Sequence, residues 1–207
     1  MKVVDVYKRY GLKGFLQRFL WKILYLIKID YSKYYLFCKQ IESQSDFENN
    51  ECKFNFVQLN FSDFKNQKNL NPNWFNEEKL HLLELAFSIE GNIAYGIFQN
   101  GLIISYGFLS LKYMGLNRNV ILKKDDCYLW DAYTHPNARG KHYHKYLTIY
   151  RERVAFKYGK KRSLSIVASF NRASKNSYLA RSYNLQETFI TYNIFKKGFK
   201  STLKYGK

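Results

Sequence analysis

The sequence predicts a mixed α/β domain, and three observations carry that expectation. Runs with helical spacing alternate with β-rich runs in the order α, β, α, β, β, β, α, β, α, β, β. An Asn-Gly pair, Asn100-Gly101, sits between two β-rich runs and marks a hairpin. With 46% apolar and 24% charged residues in 207, the chain has the usage of a globular protein rather than a disordered or low-complexity one. That length buries roughly 70% of the unfolded surface, enough for one domain with additions.

The first element is a helix. Leu12, Phe15, Leu16, Phe19, Leu20, Ile23, Leu24, Leu26 and Ile27 fall on one half of a helical wheel, with Lys13, Gln17, Arg18, Trp21, Lys22 and Lys28 on the other. Such a basic amphipathic helix, spanning 11–29, either lies in an anionic membrane interface or packs on the domain. Tyr34 to Gln40 continues it or breaks away. Residues 1–42 are expected to form a helical extension and 43–207 the main domain.

After a polar loop at 43–51, Phe54, Phe56 and Leu59 alternate as in a strand. Following Asn71-Pro72, the spacing of Leu80, Leu83 and Phe87 predicts a helix over 77–89. The hairpin strands are expected over 92–98 and 102–111, and another strand over 127–134. A helix follows over 141–158, stopped by Gly159, then a strand over 163–170. A helix over 173–182 and strands over 187–195 and 199–203 complete the series.

Charge and cysteines narrow the function. The net charge of +18 is clustered: +7 in residues 1–40, −4 in 41–138, +8 in 139–162 and +7 in 163–207. That field favours an anionic partner such as phosphates, a lipid surface, an acidic carrier or nucleic acid. No RNA-recognition or helix-turn-helix signature is present, and the aromatics fall at core positions, so a basic nucleic-acid-binding module is the weaker alternative. Cys38, Cys52 and Cys127 are widely spaced, which fits a reducing compartment rather than a disulfide framework or a zinc site. No apolar run approaches the ~20 residues needed to cross a bilayer, and no secretory signal is legible. The expected location is the cytoplasm, with peripheral contact at the inner membrane open through 11–29.

The chemistry concentrates where the 127–134 strand gives way to the next helix, in Thr134-His135-Pro136-Asn137-Ala138-Arg139-Gly140-Lys141-His142. A helix restarting after a proline turn leaves its first N–H groups clustered, and with the helix dipole they form an anion site. Gly140 permits close backbone approach, and Arg139 and Lys141 add positive charge. His142 and His144 lack partners at metal-ligand spacing, so no metal is expected.

The stretch YTHPNARGKHYHKYL resembles the acyl-CoA pyrophosphate loop of the GCN5-related N-acetyltransferase (GNAT) family, roughly Val-x-Pro-x-x-Arg-Gly-x-Gly/Ala. Thr134 stands for the Val, Pro136 for the Pro, and Arg139-Gly140 for the Arg-Gly pair. Asn137 and His142 depart from the pattern. Farther on, Asn171, Ser174 and Tyr178 match the family's Asn-x-x-Ser-x-x-x-Tyr-x-x-x-Gly-Phe, with Ser182 and Tyr183 in place of its Gly-Phe. The resemblance covers about 77–203.

It implies a mostly antiparallel central sheet flanked by helices, and transfer of an acetyl or longer acyl group from acetyl-CoA or another acyl-CoA to a primary amine. It implies cofactor contacts at Ala132, Tyr133, Thr134, Asn137, Ala138, Arg139, Gly140, Lys141, His142, Asn171 and Ser174, with Tyr178 as the acid that protonates the thiolate. Asp131, just before the loop, is the candidate base, with Glu84 and His135 as weaker ones. A lipid-linked or phosphorylated amino sugar of a surface glycan suits the basic field as acceptor. An acidic acyl carrier suits it too, which leaves an acyl-carrier-dependent synthase as an alternative.

Overall fold

A computed structural model describes Leu16, Phe19 and Leu20, and residues 29–41, 54–194 and 197–200. In chain order the elements are β1 (Ile29–Gln40), β2 (Val57–Leu59), α1 (Phe61–Leu70), α2 (Glu77–Phe87), β3 (Asn92–Gln99), β4 (Leu102–Ser110), β5 (Tyr113–Met114) and β6 (Asn117–Ile121). There follow β7 (Asp126–Thr134), a 3-10 turn (Pro136–Ala138), α3 (Tyr143–Lys157), β8 (Arg162–Ala168), α4 (Arg172–Leu179), β9 (Asn184–Ile194) and β10 (Lys197–Lys200). The chain divides into two compact units, Gln40–Leu164 and Met1–Lys39 with Ser165–Lys207.

In the Gln40–Leu164 unit, β2, β3, β4 and β7 pair antiparallel in that order, and β7 pairs parallel with the start of β8, from Asp126↔Arg162 to Tyr128↔Leu164. Both faces of this sheet are covered. On one, Phe64 of α1 and Leu80, Leu83 and Ala86 of α2 meet Ala94, Ile103, Tyr106, Phe108 and Tyr133. On the other, Leu147, Ile149 and Ala155 of α3 meet Tyr95, Cys127 and Leu129. Coverage on both sides explains why β4 reads as a nearly continuous apolar run instead of alternating. The β3–β4 turn places Asn100 at φ 52° and Gly101 at φ 75°, the positive values its Asn-Gly pair predicts.

Two elements of this unit are not in the sequence-based expectation. In α1 the helix is fixed by its start, where the Asn60 backbone N–H donates to Asp63 and the Asn60 side chain accepts from the third helical residue. The short β5–β6 hairpin is the other.

In the unit formed by the two chain segments, β1 lies between β9 and the end of β8, pairing antiparallel with β9 from Ile29↔Ile194 to Cys38↔Asn184. Ser169 N–H donates to Lys33 O at 2.8 Å. The open question at Tyr34–Gln40 is thus answered: the segment is a strand. Its sequence YYLFC is aromatic and apolar, and Tyr34 stacks on its cross-strand partner Phe189 at 5.4 Å. Phe37, Val167, Tyr178 and Tyr183 form the local core, the last two from α4 and the turn after it. The basic helix over 12–27 lies outside the described residues except for Leu16, Phe19 and Leu20, which are helical and exposed. No helix among the described residues is long and apolar enough to cross a membrane.

Candidate active site

The site begins at a fault in β7. Ser105, Tyr106 and Phe108 of β4 pair with Thr134, Tyr133 and Trp130, so Asp131 and Ala132 together face the single residue Gly107. This is a β-bulge, and it puts Asp131 at φ 46°, a left-handed conformation that strains a residue with a side chain. Bulges re-aim side chains, and here both oxygens of the Asp131 carboxylate accept from Lys79 Nζ of α2, at 2.6 and 2.7 Å. Tyr106 Oη donates to Asp131 Oδ2 at 3.3 Å. Burial, then the neighbouring Asp131 charge, push the Tyr106 hydroxyl well above its ordinary range, so it stays protonated as that donor.

Aromatic rings wall this carboxylate. Trp74 stacks on Tyr133 at 4.3 Å, Asn71 Nδ2 donates to Tyr133 Oη at 2.9 Å, and Lys79 Nζ lies 5.9 Å from the Trp74 ring and 5.8 Å from that of Tyr106. Lys79, Trp74 and Tyr106 escape sequence reading. Aromatics are too numerous here to single out, and the facing of Lys79 depends on how α2 packs.

Beyond the bulge, His135 N–H donates to Ile104 O at 2.7 Å on the β4 side. By strand alternation the N–H of Thr134 therefore faces the opposite edge of β7. The turn that follows closes on itself: Ala138 N–H donates to His135 O, Arg139 N–H to Pro136 O, and Asn137 N–H to His135 Nδ1. Desolvation, then Arg139, lowers the His135 pKa below its usual value, which keeps Nδ1 available as an acceptor.

After the turn the backbone opens. Gly140 has φ 82° and His142 φ 63°, and the N–H groups of Gly140, Lys141, His142 and Tyr143 donate to no acceptor among the described residues. Left-handed residues next to a helix start gather such amides into an anion-binding concavity. A Cβ built on Gly140 meets nothing within 4 Å, so glycine is required by conformation rather than by crowding. His142, the departure from the family pattern, keeps its side chain exposed and leaves the amides uncovered. Ala138 is buried, and Asn137, Arg139 and Lys141 are exposed around the turn.

The second matching segment lies in the other unit. Asn171 caps α4, its side-chain oxygen accepting from Ser174 N–H at 3.2 Å. Tyr178 is 4% exposed, stacks on Phe37 at 6.0 Å, and its hydroxyl accepts from Ser165 Oγ at 2.7 Å. Ser182 has φ 62°, the conformation that explains why the family pattern has glycine there. Cys127 is buried and its thiol is pushed up to about 12 by desolvation, which makes it inert. No cluster of His, Cys, Asp and Glu able to hold a metal ion occurs among the described residues.

Residues 55–183 match the acetyltransferase (GNAT) family, and the chain belongs to that family. It is an acyl-CoA-dependent N-acyltransferase by class. No curated protein matches. Among solved structures, the chain is similar to the aminoglycoside N-acetyltransferase AAC(6')-Iy in complex with CoA, at 16% identity over 64% of this chain and 93% of that one, with a TM-score of 0.50. It is similar to the aminoglycoside 6'-N-acetyltransferase AAC(6')-IG of Acinetobacter haemolyticus, at 17% identity over 65% and 93%, with a TM-score of 0.51. A GNAT-family acetyltransferase structure from Novosphingobium aromaticivorans has 12% identity over 84% and 69%, with a TM-score of 0.52. These likenesses establish the mixed α/β fold with a mostly antiparallel sheet and flanking helices.

Proposed function

We propose that the protein moves an acetyl or longer acyl group from a CoA thioester to a primary amine carried by an amino sugar of a surface glycan. The observation that carries this is the run of four unpaired amides from Gly140 to Tyr143 at the start of α3, flanked by Arg139 and Lys141. The amides of Asn137 to His142 hold the donor's diphosphate, and Asn171 and Ser174 contact the rest of the CoA arm. The backbone N–H of Thr134, on the edge of β7 away from β4, polarises the thioester carbonyl, as oxyanion donors do. Asp131 takes the proton of the incoming ammonium, which enters in place of Lys79, and Tyr178 protonates the departing thiolate.

The aromatic walls at Trp74 and Tyr106 support a cationic amine, and the likeness to aminoglycoside N-acetyltransferases supports an amine on a sugar. The clustered positive charge also favours an acidic acyl carrier as donor, and it favours work in the cytoplasm against an anionic membrane through 11–29. Ranking acetyl-CoA, longer acyl-CoAs and acyl carriers by thermal shift selects the donor. Free-thiol release against nucleotide-linked amino sugars then tests the acceptor. Acetyl-CoA is expected to raise the melting temperature and amino sugars to release thiol. A melting temperature unmoved by every thioester would remove the donor assignment, and thiol release only with non-sugar amines would remove the acceptor.

A further inference from the structure

A buried arginine lies beneath the bulge. Arg151 of α3 is 0% exposed, an expensive place for a guanidinium unless its donors are used. Its Nη1 donates to Phe108 O at 2.8 Å and to Trp130 O at 3.3 Å, the carbonyls of the two residues that pair with each other on one flank of the bulge. Its Nε reaches Leu147 O and its Nη2 reaches Thr148 Oγ1, both at 3.4 Å, which ties the same group to its own helix. The residue opposite the bulge is Gly107, and a Cβ there would stand 2.5 Å from Arg151 Nη1. The space left by that missing side chain is filled by the guanidinium.

The two sides of the sheet thus do different things at one point. On the α1–α2 side, the bulge aims Asp131 at Lys79 and Tyr106. On the α3 side, Arg151 grips the carbonyls of the Phe108–Trp130 pair that borders the bulge. Arg151 also stands on the helix whose start carries the amides without acceptors among the described residues, so one side chain links that helix to the bulge that displaces Asp131.

We propose that Arg151 is a positioning residue: by holding Phe108 O and Trp130 O it maintains the bulge, and with it the placement of Asp131 and of the following amides relative to the start of α3. Gly107 is its necessary counterpart. The catalytic consequence rests on the proposed acyl transfer, whereas the geometric one does not.

The test uses the full chain with Arg151→Met, Arg151→Lys and Gly107→Ala, and Leu164→Ala as a core truncation that sets the effect of lost stability alone. Thiol release and acetyl-CoA thermal shift are measured for each, and a crystal structure or backbone couplings report the φ of Asp131. The expected result is a kcat lower by about ten- to a hundredfold in Arg151→Met and Gly107→Ala, the scale of roughly 1 Å misplacement. The donor-induced shift should persist, and Arg151→Lys should recover part of kcat. Leu164→Ala should lose stability without that selective loss of kcat. A positive φ at Asp131 in Arg151→Met would overturn the proposal whatever the activity. So would a kcat in Arg151→Met equal to that of Leu164→Ala. If the wild-type chain releases no thiol with any amine, the acyl-transfer function fails, and the φ of Asp131 in Arg151→Met still decides the role of Arg151.

Discussion

Replacing Gly140 by aspartate places a negative charge where the donor's diphosphate is proposed to lie. The backbone there has φ 82°, so a side chain costs about 1–2 kcal/mol of strain, and aspartate tolerates this conformation better than most residues. Nothing lies within 4 Å of the new Cβ, so no steric cost is added and the fold is expected to survive. For a domain of this size the strain lowers the melting temperature by about 2–8 °C. Acetyl-CoA at a hundred times its dissociation constant stabilises the wild type by about 2.7 kcal/mol, a shift of roughly 5–11 °C. One carboxylate about 4 Å from one phosphate charge, at an effective dielectric constant near 20, opposes binding by about 4 kcal/mol, more than the whole stabilisation. That corresponds to about a thousandfold loss of affinity. Differential scanning fluorimetry with and without acetyl-CoA should therefore show no donor shift for Gly140→Asp, while Gly140→Ala shows a reduced one. A donor shift in Gly140→Asp equal to the wild-type shift would refute the assignment of these amides.

Three further outcomes are expected. Tyr178→Phe should slow thiol release by at least about tenfold if Tyr178 is the acid, and turnover at the wild-type rate would make its bond to Ser165 a packing feature only. Ser182→Gly should raise the melting temperature by about 1–4 °C, because relief of strain at φ 62° exceeds the added freedom of the unfolded chain; a fall would show that the serine side chain itself stabilises the turn. The His135 imidazole should titrate by NMR with a midpoint below 6.5, owing first to desolvation and then to Arg139. Since its folded pKa is the lower one, its contribution to stability is present above pH 6.5 and is lost as the pH falls through the folded value. A midpoint at or above 6.5 would contradict the bond from Asn137 N–H.

The loop was legible in the sequence because its chemistry is local. Pro136, Gly140 and the following helical spacing fix a turn, a left-handed residue and a helix start within a few positions. The strand at Ile29–Gln40 was not, because its partner is β9, and nothing in IDYSKYYLFCKQ announces a neighbour so far along the chain. For Asp131, sequence reading identified the residue but not the bulge, since a bulge depends on the register of two strands. Arg151 reads as one more base on a basic helix, and what sets it apart from the exposed lysines around it is tertiary: its burial, its bonds to strand carbonyls and the space left at Gly107. Burial that depends on a missing side chain in another strand leaves no periodic trace.

The pairing of β1 with β9 also sets an order of events during synthesis. Ile29 is made well before its partner Ile194, with the whole of Gln40–Leu164 between them. Gln40–Leu164 has its own core and can consolidate first, with closure of long loops left to the end. Until then the β1 segment emerges with aromatic side chains and an unpaired edge, and this nascent stretch is where chaperone binding and premature association will concentrate.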